Sequence, residues 1–185
     1  SALNLPGPIE MKTSRRELII GAALAPLALR AGAQARPRSS GGAGVPLPAT
    51  GAQWRLPDEV LLFDGSTLRP VHDRDKILVL YWWASWCPFC ALQSPMLDKL
   101  WRTHRNAGLQ MLALAVDQKR EDALAYYQAK GYAFASTWVT PEIERVMPRP
   151  KGLPVTLVLG RDGKVLMALP GQSFPEDIEE IARFL

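Results

Sequence analysis

The 185-residue sequence contains only two cysteines, Cys87 and Cys90, and two histidines, His72 and His104. So few thiols exclude a small scaffold stapled by several disulfides. The pair has no third thiol to scramble with, as suits a group that cycles between dithiol and disulfide. A structural metal site is disfavoured for the same reason, because it needs two further ligands and only the histidines could add nitrogen. His104 lies fourteen residues beyond Cys90, roughly 21 Å along a continuous helix, and His72 would have to act alone. Long apolar runs are also missing. The mildly apolar stretch 19–29 is short against the ~20 residues that span a bilayer. No basic stripe with interleaved aromatics occurs, and the net charge of +4 falls to +2 once residues 1–35 are set aside (Lys12, Arg15, Arg16 and Arg30 against Glu10 and Glu17). Nucleic acid is therefore not an expected partner. No internal repeat is visible.

What is present is an ordinary globular balance, 48% apolar and 22% charged, enough for one core and one domain. Residues 1–10 lack periodicity and are expected to be an expression remnant ahead of a native start at Met11. From there Arg15-Arg16, the apolar run 19–29 and Ala33-Gln34-Ala35 have the order of an export signal over residues 11–35. The paired arginines after Ser14 resemble a twin-arginine signal, although Ile20 stands where a lysine is often found. No cysteine lies at the cleavage site, which disfavours a lipoprotein. Residues 36–53 are Pro-, Gly-, Ser- and Ala-rich with almost nothing to bury, and read as a flexible linker. The folded domain is expected over residues 54–185.

Within it, residues 60–63 and 68–71 around Asp64-Gly65 read as a small hairpin. The near-continuous apolar runs 77–83 and 109–116 predict strands covered on both faces. A helix is expected from the cysteines to about residue 106, punctuated by Pro95, and another over 120–130 ending at Gly131. A shorter strand over 134–139 and a short helix over 141–146 follow. Strands 155–159 and 164–169, joined by Asp162-Gly163, precede a terminal helix over 175–185. Strands alternating with helices, then a hairpin and a closing helix, indicate an α/β fold with a central mixed sheet flanked by helices and an N-terminal β-hairpin extension.

A Cys-x-x-Cys at a strand-to-helix junction carries a mechanism. The first helical turn offers unpaired N–H groups and the positive end of the dipole to the first sulfur. Both favour the thiolate and so make Cys87 the attacking group. Cys90, one turn on, is placed to resolve the mixed disulfide. Pro88 suits the first helical turn, where a missing N–H costs nothing. A purely structural disulfide is disfavoured, since so short a loop contributes little closure entropy.

The stretch Leu80-Tyr81-Trp82-Trp83-Ala84-Ser85-Trp86-Cys87-Pro88-Phe89-Cys90 resembles the strand and active-site signature of the thioredoxin superfamily, and most closely its TlpA/ResA-like exported branch. Asp64-Gly65, Pro95 and Gly152-Leu153-Pro154-Val155-Thr156 match the same family, and the likeness covers about residues 54–185. The resemblance implies a thioredoxin-like fold and a thiol:disulfide oxidoreductase without a cofactor. It implies a cis Pro154 beside the dithiol, a backbone at Leu153 that pairs with bound substrate, and a Trp86 that shields the cysteines, with Pro88 and Phe89 completing the active-site loop. It also implies protein disulfide substrates, a membrane thiol donor of DsbD type, a monomer and a periplasmic location.

Two positions depart from the family. The buried Asp that thioredoxins carry six residues before the first cysteine is Tyr81 here, and the Glu often found three residues past the second cysteine in ResA-like reductases is Gln93. Proton transfer at Cys90 would then need solvent, Lys76 or a group the sequence does not identify. Phe89 stands where the oxidant DsbA has a histidine and adds no charge to stabilise a thiolate. A reductant is therefore expected. The alternatives are a disulfide-donating oxidase and, in another class, a thiol-based copper metallochaperone, although no methionine or histidine lies next to the pair.

Overall fold

In the computed structural model the described residues are 44–70 and 75–185. The expected expression remnant, the export signal, the first part of the linker and His72 lie outside them.

The order of elements is β1 (Val60–Leu61), β2 (Thr67–Leu68), β3 (Ile77–Trp83), α1 (Pro88–His104), β4 (Leu109–Ala115), α2 (Arg120–Lys130), β5 (Ala135–Trp138), α3 (Pro141–Val146), β6 (Val155–Leu159), β7 (Val165–Pro170) and α4 (Pro175–Glu180). Strands β1 and β2 form the antiparallel hairpin, closed by Asp64, whose carboxylate accepts from the Ser66 amide and hydroxyl. The other five make one mixed sheet in the order β5-β4-β3-β6-β7. In it β4 runs parallel to β3 and β5, while β6 is antiparallel to β3 and β7. The fold is thioredoxin-like.

Strand β3 lies at the centre, and all seven of its residues are buried. Its unbroken hydrophobicity conceals a period of two. Ile77, Val79, Tyr81 and Trp83 join one core cluster with Leu97 and Leu100 of α1, Ala123 of α2 and Ile178 of α4. Leu78, Leu80 and Trp82 join the other with Val60 and Leu62 of the hairpin region, against which Ile143 of α3 packs. Both faces are covered, which is why polar alternation is missing from the strand.

Several boundaries differ from expectation for local reasons. Helix α1 runs through Pro95, which sits inside the helix and cannot donate a backbone hydrogen bond. It ends at His104 and tightens into a 3-10 turn over Arg105–Ala107, and Gly108 then reverses the chain at φ 94°. The terminal helix is α-helical only to Glu180 and continues as 3-10 over Ile181–Phe184. Residues 44–53, expected as linker, are tied to the domain by backbone bonds. Val45 bridges Pro150, Gln53 bridges Lys164, and the Gly51 amide donates to the Val165 carbonyl at 2.7 Å. The packed chain thus reaches back beyond Trp54.

Candidate active site

Strand β3 delivers the chain to the carboxyl edge of the sheet, where parallel strands place their functional loops. After a turn over residues 84–87, Cys87 takes the extended conformation of an N-cap (φ −88°, ψ 111°) and Pro88 opens α1. The Cys87 sulfur accepts from the Cys90 amide at 3.2 Å. It occupies the place of a capping oxygen, at the end of the helix that favours negative charge. Cys87 and Cys90 are joined as a disulfide with Cα atoms 5.2 Å apart. Both are buried, Cys87 4% and Cys90 1% exposed.

A cleft of roughly 280 Å³ opens on this disulfide, lined by Trp86, Cys87, Pro88, Phe89, Arg149 and the 152–153 backbone turn of Gly152 and Leu153. Cys87 lines it, and Cys90 does not. The Leu153–Pro154 peptide is cis, and Gly152 before it has φ 81°, a left-handed conformation that glycine adopts without strain. Pro154 is buried at the start of β6. The cis-proline loop, the dithiol and the Trp86–Phe89 rim therefore meet at one place. Trp86 and Phe89, which line the cleft, are each more than half exposed, large apolar side chains left open to solvent beside a buried disulfide.

The two positions that lack an acid are filled by neutral polar groups, each paired. Tyr81 is fully buried, its hydroxyl 2.9 Å from that of Ser94 and donating at 3.3 Å to the Cys90 carbonyl. Burial, the largest influence, pushes its pKa up, so it stays protonated. Gln93, also fully buried, spans three elements: its amide nitrogen donates to Thr156 Oγ1 of β6 at 2.9 Å and its oxygen accepts from the Ser173 amide before α4 at 2.7 Å. It fastens the dithiol helix to the strand that begins just after Pro154.

Lys76 is not at the site. It precedes β3 and lines a cavity at the opposite end of the strand with Trp54, Gln110 and Arg161, a strand length of roughly 20 Å from the dithiol. His104 is the last residue of α1.

One residue escaped the sequence reading. Asp117, just past β4, is 5% exposed and accepts through its two oxygens from the Ser85 amide at 3.1 and 3.2 Å. The Ser85 hydroxyl donates to the same carboxylate. The sequence offers an acid directly after the apolar run 109–116, and the register that pairs Ala115 with Trp83 sets it beside the loop that leaves Trp83.

Comparison with known proteins agrees with this geometry. The AhpC/TSA family model matches residues 59–169. The thiol-disulfide oxidoreductase ResA of Geobacillus thermodenitrificans is 26% identical over 127 residues, 67% of this chain and 72% of that protein. Two crystal structures share the fold. One is a thioredoxin-family thiol:disulfide interchange protein of Chlorobium tepidum, with TM-score 0.64, 20% identity and coverage of 73% and 97%. The other is a secreted disulfide oxidoreductase of Mycobacterium tuberculosis homologous to E. coli DsbE, with TM-score 0.59, 15% identity and coverage of 69% and 95%.

Proposed function

The chain belongs to the AhpC/TSA family and is a thioredoxin-like thiol:disulfide oxidoreductase, and from that premise we propose that it works outside the cytoplasm as a reductant of disulfides in exported proteins, with Cys87 as nucleophile and Cys90 as resolving residue. The observation that carries this is the asymmetry of the pair: Cys87 caps α1 and lines the cleft, and Cys90 sits behind it.

The cycle balances as follows. The Cys87 thiolate attacks one sulfur of a substrate disulfide, and the other sulfur leaves and takes a proton. Cys90 loses its proton and attacks the Cys87 sulfur, releasing the second substrate thiol and closing the internal disulfide. Two electrons and two protons have then passed to the substrate. A membrane thiol donor of DsbD type restores the dithiol, because a periplasm kept oxidising must supply a reductant with electrons. Residues 11–35 would direct export by the twin-arginine route, and the folded domain acts as a monomer.

Trp86, Leu153 and Pro154 are the substrate-positioning residues in this reading, with Pro88 and Phe89 as the loop between the cysteines. The convergence of Trp86, Pro88, Phe89 and Leu153 on one cleft, with Pro154 next in the chain, supports it, as does the apolar rim, which suits a chain segment exposed by incomplete folding. The cap position of Cys87 favours its thiolate, and no acidic residue in the first turn of α1 opposes it.

The test is capture. Cys90→Ser in a periplasmic extract should accumulate mixed disulfides on Cys87 that reductant dissolves and that Cys87→Ser does not form. Absence of adducts while the wild type turns over would refute the assignment of nucleophile. Restoration of native disulfides to a reduced, unfolded substrate in stoichiometric yield would reverse the direction of electron flow.

A further inference from the structure

Asp117 lies two residues past β4 and is 5% exposed, a depth at which an acidic side chain survives only with its oxygens paired. Its carboxylate acts as an acceptor, taking the Ser85 amide on both oxygens and the Ser85 hydroxyl on Oδ1. Its main chain is fixed as well, since the Trp138 indole of β5 donates to the Asp117 carbonyl at 2.7 Å. Ser85 stands two residues before Cys87, in the turn that leads β3 into the cap of α1. Two residues of chain span at most about 7 Å, so an anion held at 3.1 Å from the Ser85 amide lies within about 10 Å of the Cys87 backbone.

We propose that Asp117 is a positioning residue that clamps the turn carrying Trp86 and Cys87 and, through its negative charge, opposes the Cys87 thiolate, which holds the dithiol on the reducing side of its equilibrium. The inference rests on Cys87 being the attacking sulfur. The charged and dipolar groups around Cys87 pull in both directions. The α1 N-terminus and the Cys90 amide favour the thiolate, and so does Arg149, the one charged residue among those lining the cleft. Asp117 opposes them from the end of β4. A buried anion at this range is screened less than a surface one and still acts appreciably at the effective dielectric of a protein. A stabilised thiolate stabilises the reduced protein and makes it the stronger oxidant, so an opposing anion makes it the stronger reductant.

The test compares wild type, Asp117→Asn and Ser85→Ala. Thiolate is read by ultraviolet absorbance across pH. The exchange of one protein dithiol with one glutathione disulfide, giving one protein disulfide and two glutathione thiols, is read at equilibrium. Asp117→Asn removes the charge and keeps one acceptor. It should show three- to tenfold more thiolate below the thiol midpoint, and its glutathione equilibrium should move toward the dithiol by up to tenfold, about 30 mV for a two-electron couple. Ser85→Ala keeps the charge and should not lower the thiol midpoint. A folded Asp117→Asn that titrates with the wild type, or shifts the other way, overturns the proposal. If that variant does not fold, Asp117→Ser serves in the same assays. Hydrogen exchange of the wild-type Ser85 amide, expected to be slow, would overturn the clamp if it matched an open loop. Failure of the wild type itself to exchange with glutathione would instead sink the oxidoreductase reading, so the two failures are distinct.

Discussion

Replacing Gln93 by leucine keeps the volume of the side chain and removes its hydrogen bonds, which isolates what those bonds contribute. The site is fully buried, and the substitution strands two groups: the Ser173 amide, which donates at 2.7 Å, and the Thr156 hydroxyl, which accepts at 2.9 Å. Each buried polar group left unpaired costs about 1–3 kcal/mol, so the two together cost about 2–6 kcal/mol. The two apolar carbons that leucine adds over glutamine return about 1.6 kcal/mol, at about 0.8 kcal/mol each. Set against the middle of that cost, the net expected loss is about 2 kcal/mol, a urea midpoint lower by roughly 1 M for an m-value near 2 kcal/mol/M. Equilibrium urea unfolding by tryptophan fluorescence measures it. Because the bond to Thr156 ties α1 to the strand beginning after Pro154, the variant should also exchange more slowly with protein disulfides. Stability within 0.5 kcal/mol of wild type, or above it, would refute the idea that Gln93 is a structural clamp. Gln93→Glu supplies the matching pH test. Burial raises a carboxyl pKa above its unfolded value of about 4.3. The protonated form is then the one the fold prefers, so stability relative to wild type is present below that pH and is lost as pH rises through the folded pKa. Wild type, with an amide at this position, should not show that added slope.

Burial holds Tyr132 at a pKa of about 12, above the ordinary 10.0. Its contribution to stability is therefore present below pH 10 and lost as pH rises toward 12, and alkaline unfolding followed by circular dichroism should be less steep in Tyr132→Phe. Trp86 is 65% exposed, so Trp86→Ala should change stability by less than about 0.5 kcal/mol. It should slow exchange with a protein disulfide more than with a small disulfide, and equal slowing of both would remove the tryptophan from substrate positioning. Gly108 turns the chain into β4 at φ 94°, and a Cβ there would meet the Asp75 carbonyl at 3.2 Å. Gly108→Ala should cost about 1–2 kcal/mol by thermal or urea unfolding.

The fold was legible wherever a local signal and the tertiary environment agreed. Strand β3 and helices α2 and α3 lie where apolar runs, capping residues and Gly131 place them. The dithiol was legible for the same reason: two cysteines three apart, with a proline between and an apolar strand before them, define a cap geometry within a few residues. Segment 44–53 departs from the linker its composition predicts because it is held by backbone amides and carbonyls, which every residue carries and composition does not report.

The sequence by itself determined the mixed sheet flanked by helices and the position of Cys87 at a helix start. These are consequences of period, spacing and residue type. Only the tertiary structure decided what surrounds the sulfurs. Gln93 finds Thr156 and Ser173 across 63 and 80 residues, and Asp117 finds Ser85 across 32. Such pairings follow from strand order and register, which set which distant polar groups share a buried space and must satisfy one another.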